Sequence, residues 1–197
     1  SWRIGLRMAP RPGLSRDLIV KTAADLLDEA DGREVTLGQI AAALGVRTPS
    51  LYNHIDGQDD LLRGLAVFAV RELGARISRA AIGRTGEDAI LAIGHAYRQF
   101  AHERPRLYQA SLRAPDPDHQ ALIDASEEIL DVLRLVLKPY QLSPEDQIHA
   151  IRGLRSLMHG FGSLELAGGF GLPVDIDESY RRLLTGFIRG LQREGGA

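Results

Sequence analysis

Six polar side chains crowd residues 47–54: Arg47, Thr48, Ser50, Tyr52, Asn53 and His54. Arginine and asparagine can pair bidentately with base edges, and threonine or serine can bond a base or a phosphate. Free N–H groups at a helix start favour a phosphate as well. Leu51 and Ile55 are four apart and are expected to face inward, which turns the polar set outward. That chemistry is DNA recognition, not bond making. His54 has a competing reading as a packing residue between helices, and that reading is the preferred one for it. Ahead of this stretch, Arg3, Arg7, Arg11 and Arg16 all precede the first acid, Asp17. A basic arm on an otherwise acidic domain places positive charge on one side, where phosphates can meet it. A merely solvated tail would read the same until the neighbouring motif is weighed.

Those residues need elements to hold them. Thr36 can cap a helix and Gln39, three residues on, can reach back to it, which makes a capping box. Ile40, Ala41 and Leu44 supply an apolar stripe, and Gly45 can end the helix in the left-handed conformation. Thr48 is then expected to cap a second helix with Pro49 at its first position. Two short helices around a glycine turn form a helix-turn-helix, whose second helix enters the major groove. Thr36 and Gln58 flank the motif and join the DNA-facing set with Arg11.

The remainder predicts an all-α chain of about nine helices, with no strand-period alternation. Helices are expected over 15–30, from 57 or 58 to about 77, over 90–103, 107–112, 118–137, 144–167 and from 175 or 177 to about 191. Thr85 and Ser143 are expected caps, and Pro105 an interruption. The division is an arm and head over 1–60 and a helical domain over 61–197. A hydrophobic content of 44% suffices for a core, and the absence of cysteine excludes disulfides and thiolate metal sites. No apolar run is long enough to span a bilayer and no secretory pattern opens the chain, so a soluble, cytoplasmic protein is expected. The net charge of −2 argues mildly against nucleic acid.

The residues Thr48-Pro49-Ser50-Leu51-Tyr52-Asn53-His54-Ile55, followed by Asp59, Asp60, Leu61 and Leu62, resemble the recognition helix and fourth-helix start of TetR/AcrR-type transcriptional regulators. The segment from Leu154 to Glu165, with His159-Gly160-Phe161, resembles TetR C-terminal domains named for a Trp-His-Gly motif, although the Trp is absent. The resemblance implies a ligand-responsive, homodimeric bacterial repressor with no cofactor and no enzymatic activity. Its partners would be a palindromic double-stranded operator and a small, mostly apolar ligand, with no membrane. Tyr52 would contact the DNA backbone. Gln58 stands where the family usually has a phosphate-gripping lysine, a departure that the arm arginines would offset. The Arg-heavy, Lys-poor composition fits a GC-rich bacterial source.

The resemblance also implies a ligand pocket in the second domain. Apolar walls with a few polar groups suit a small molecule, and Tyr97, Phe100, Tyr108, Met158, His159, Phe161 and Glu165 are the candidates. Phe100 and Phe161 read more readily as core, whereas Tyr97, His159 and Glu165 carry polar tips that need partners. His95 and His102 are too far apart for the usual metal pair, so no metal is expected. Gly153, Ser156, Gly160, Ser163 and Ala167 recur at steps of three and four along one face. With Tyr180, Leu184, Phe187 and Leu191 of the ninth helix, they are assigned to the dimer interface that the family forms from its last two helices. The competing reading is an all-helical ligand-binding protein or enzyme whose helix-turn-helix is only structural. No nucleophile elbow, phosphate loop or metal signature favours it.

Overall fold

The computed structural model describes residues 13–29, 34–112 and 116–194. Every regular element among them is helical: α1 (Arg16–Glu29), α2 (Leu37–Leu44), α3 (Thr48–Leu51), α4 (Gly57–Ala81), α5 (Gly86–Glu103), α6 (Pro105–Ala110), α7 (Gln120–Leu137), a 3-10 turn η1 (Lys138–Tyr140), α8 (Pro144–Leu166) and α9 (Ile176–Glu194). The chain divides into two compact units, Ser1–Leu62 and Arg63–Ala197.

In the first unit, α2 packs against α1 and α3. The Ser15 hydroxyl accepts the Leu18 N–H at 3.2 Å and opens α1. The capping box on α2 is complete: Thr36 Oγ1 accepts the Gln39 N–H at 3.3 Å, and Gln39 Oε1 accepts the Thr36 N–H at 2.9 Å. Gly45 ends α2 at φ 68°, where a Cβ would clash with its own backbone. One expected cap is corrected. Arg47, not Thr48, holds the N-cap position of α3, because its carbonyl already accepts the Ser50 N–H at 2.9 Å. Thr48 is therefore the first helical residue and makes no cap bond. Asp60 fixes the start of α4: one oxygen accepts the Asp56 N–H at 3.1 Å and the other accepts from Arg16 at 2.7 Å.

In the second unit, α5 lies against α8 and α9, and α7 packs on both α5 and α8. The buried face of α5 carries Ile90, Ile93, Gly94, Tyr97, Phe100 and Ala101. Gly94 allows α9 to approach closely: a methyl there would lie 2.5 Å from Leu184 Cδ1. The Tyr180 hydroxyl donates to the Gly94 carbonyl at 2.9 Å. Arg98 of α5 bonds both Glu165 of α8 and Asp177 of α9, clamping three helices. Caps follow the sequence at Ser143, which accepts the Asp146 N–H, and at Asp175, which accepts from Asp177 and Glu178. They depart from it at Thr85, which sits at the N-cap of α5 without a side-chain bond. Pro105 marks the expected interruption: α5 ends at Glu103 and Pro105 opens α6, since the first turn has no use for its missing N–H.

The ninth helix corrects the interface assignment. Tyr180 and Leu184 are fully buried and Leu191 nearly so, all within the single chain. Phe187 packs over Gly153, where a methyl would lie 2.9 Å from its ring. Tyr180, Leu184 and Leu191 belong to the protomer's own core, whereas Phe187 is only half-buried. The physical reason is that α9 must first bury its apolar stripe in its own bundle. Regular spacing alone does not say which neighbour a stripe meets.

Candidate functional site

The first candidate site is the exterior of the helix-turn-helix. Regular bonding in α3 stops at Leu51, and Tyr52, Asn53 and His54 form the turn that follows. Leu51 and Ile55 are buried. Arg47, Asn53 and His54 are exposed, and Tyr52 is 58% exposed, a large exposure for an aromatic ring that no core requires. Thr48 and Ser50 are half-buried at its base. The packing reading of His54 is corrected, because Leu51 and Ile55 already fill the inward side and the imidazole stands in solvent. Thr36 and Gln58 are exposed, although the Thr36 hydroxyl is committed to its capping box. Arg16 is not a free arm residue: it belongs to α1 and pairs with Asp60. Arg11, with Arg3 and Arg7, lies outside the described residues.

The second candidate site is a cavity of about 820 Å³ between α4, α7 and α8, with Tyr97 of α5 and Ser111 at its wall. This volume is in the range of small-molecule sites. Val70, Leu73 and Ile77 line it from α4, Ile129 and Leu133 from α7, and Ile151, Leu154 and Met158 from α8. Its charged residues are Glu127, Arg134, Arg152 and Arg155. Of the ligand candidates read from the sequence, Tyr97 and Met158 line this cavity. Phe100 does not: it is fully buried, edge-on to Tyr108 and beneath the Arg76 guanidinium. Phe161 stacks between Phe170 and Tyr180. Glu165 is taken up by Arg98 and His102. The paired guanidinium holds its carboxyl below the usual carboxylate range.

Tyr108 and His159 sit behind the wall in a hydrogen-bond chain. Tyr97 and Tyr108 hydroxyls meet at 3.1 Å, and the Tyr108 hydroxyl meets His159 Nδ1 at 2.5 Å. The Arg155 guanidinium favours the ionised form of the Tyr97 phenol, against the larger opposing effect of burial. Burial pushes both phenols above their ordinary pKa, with the Tyr97 contact adding to the effect on Tyr108, so both stay protonated. Either hydroxyl of the Tyr97–Tyr108 pair can donate, and the direction of the Tyr108–His159 bond follows the imidazole tautomer. The α7 side of the cavity and Arg155 escaped the sequence reading. The stripe of α7 was legible as apolar, but periodicity cannot separate a core wall from a cavity wall. No group of three or more His, Asp or Glu among the described residues is arranged to hold a metal ion. His95 packs edge-on against Tyr180. No described helix is long and apolar enough to cross a membrane.

A helix-turn-helix head joined to an all-helical second unit is the architecture of a DNA-binding transcriptional regulator. Comparison with known proteins agrees. The family model of the tetracyclin repressor-like C-terminal domain matches residues 90–187, a span that includes His159-Gly160-Phe161. The chain is 36% identical to the HTH-type transcriptional regulator YobS of Bacillus subtilis (strain 168), over 93% of this chain and 96% of that one. It is 32% identical to the HTH-type transcriptional regulator Rv0681 of Mycobacterium tuberculosis, over 95% of this chain and 87% of that one. In fold it resembles a TetR variant from Acinetobacter baumannii AYE solved in complex with minocycline, with a TM-score of 0.65 at 18% identity over 91% of this chain and 97% of that one. The chain belongs to the TetR family of transcriptional regulators. It is a DNA-binding regulator with an all-helical fold.

Proposed function

We propose that this protein is a homodimeric repressor whose hold on a palindromic operator is released by a small molecule bound in the second unit. The observation that carries the reading is the pairing of two features in one chain: an exposed Arg47, Tyr52, Asn53 and His54 face, and an apolar-walled cavity of about 820 Å³. A fold relative holding minocycline supports the cavity as the ligand site. Helix α4 runs from Gly57 in the first unit to Ala81 in the second and contributes Val70, Leu73 and Ile77 to the cavity. A ligand against those residues touches the element that begins at the DNA head.

A homodimer supplies the second half-site that a lone head needs for affinity. The open side of α8 offers Ser156, Gly160 and Ser163, and a Cβ placed at Gly160 meets nothing within 4 Å beyond its chain neighbours and the adjacent helix backbone. The open side of α9 offers Leu183, Gly186 and Gly190 at helical spacing, with Leu183 40% exposed. We assign the partner to these faces in place of Tyr180, Leu184 and Leu191. A band-shift on the DNA upstream of the protein's own gene tests the whole reading. The expected result is one discrete shifted band, of a mass matching two chains per duplex, that weakens when ligand is added. A chain that leaves this DNA unshifted at micromolar concentration is not a repressor of this type.

A further inference from the structure

The charges around the cavity do not balance. Its charged lining is one acid, Glu127, against three bases, Arg134, Arg152 and Arg155. Glu127 is already paired with Arg134 at 3.1 Å, and Arg134 also bonds Asp131 at 2.7 Å. Arg152 and Arg155 have no carboxylate partner among the described residues. They stand three residues apart on α8, a spacing at which like charges repel. Arg155 donates once to the Leu112 carbonyl at 3.1 Å and lines the cavity together with Tyr97. A guanidinium has five N–H donors, so several remain for another acceptor. Beyond these cations the cavity is walled by Val70, Leu73, Ile77, Ile129, Leu133 and Met158.

We infer that the cavity takes an amphipathic organic anion, its carboxylate gripped by Arg155 and Arg152 and its apolar body laid along α4, α7 and α8. This rests on the reading of the cavity as the ligand site and narrows it from an apolar molecule to an acid. The planar fork of Arg155 matches a carboxylate in two parallel hydrogen bonds. Tyr97 lines the same cavity beside that fork.

The test uses the full chain, calorimetry and three probes of one length: decanoate, decan-1-ol and decylamine, each at concentrations where circular dichroism shows the fold intact. Decanoate is expected to bind at least about tenfold more tightly than the alcohol, the scale of one charge-assisted hydrogen bond. Arg155→Gln should bring decanoate down to the alcohol's affinity and leave the alcohol unchanged. Arg152→Gln should act in the same direction. Equal affinity for acid and alcohol, or a preference for the amine, overturns the inference while leaving the cavity as a ligand site. No binding of any probe overturns the inference and the ligand-site reading together. An unchanged preference for decanoate in both variants overturns the assignment to these arginines.

Discussion

Gln58 is a single exposed side chain with a predictable electrostatic consequence. It stands on the first turn of α4, at the position where the family resemblance implies a phosphate-gripping lysine. Gln58→Lys should tighten binding to every duplex alike, because phosphate contacts carry no base information. Measured by anisotropy over a salt series, the slope of log affinity against log salt should steepen by about 0.9 per half-site. Glu165 makes a second prediction. It is half-buried and bonded to Arg98 and His102, so Glu165→Gln leaves Arg98 short of its main partner. The loss should be about 1–3 kcal/mol at neutral pH, read from denaturant midpoints. The carboxyl's pKa is depressed in the folded state. Its contribution is therefore complete above the unfolded carboxylate's pKa of about 4.3. It fades as pH falls through the lower, folded value, and the gap between variant and parent should close there. At this scale the sequence was informative where chemistry demanded exposure, as for Tyr52 and Asn53. It was misleading where a polar tip had an unseen structural partner, as for Glu165 with Arg98 sixty-seven residues away.

Helices were the most legible part of the chain, because their starts and stops are written locally. The Thr36 capping box, the Gly45 stop and the Ser143 and Asp175 starts each depend on residues a few positions apart. Thr48 missed the cap position by one residue, which Arg47 takes, and Thr85 holds its N-cap position without making the side-chain bond. What a helix packs against is not local, which is why Tyr180 and Leu184 read as interface and proved to be core. Two glycines separate these cases. Gly94→Ala forces a methyl against Leu184 in a filled interior, and should destabilise the fold by about 1–3 kcal/mol in thermal or chemical melts. Gly160 has open space around it in the single chain. Gly160→Leu should keep full helix content by circular dichroism and shift the mass by light scattering from two chains to one. A Gly160→Leu protein that remains a dimer would move the interface off α8.

One chain carries both a helix-turn-helix head and a cavity-bearing helical unit. That architecture was legible from residues 48–62 because a helix-turn-helix is a short-range pattern. The cavity was not, since it depends on how α4, α7 and α8 close around a space. Removing residues 1–12 takes away Arg3, Arg7 and Arg11. It should weaken operator binding and flatten its salt dependence; unchanged affinity and slope would make the arm a passive tail. The central claim is that the residue 47–54 face reads a sequence. It is tested most directly by anisotropy of a labelled duplex from the protein's own upstream region against a shuffled duplex of equal composition, at one salt concentration. The account predicts that the upstream duplex binds at least about 10³-fold more tightly, and that Asn53→Ala removes about 1–3 kcal/mol of that preference. Equal affinity for the two duplexes, or a preference untouched by changes at Arg47 and Asn53, would contradict it.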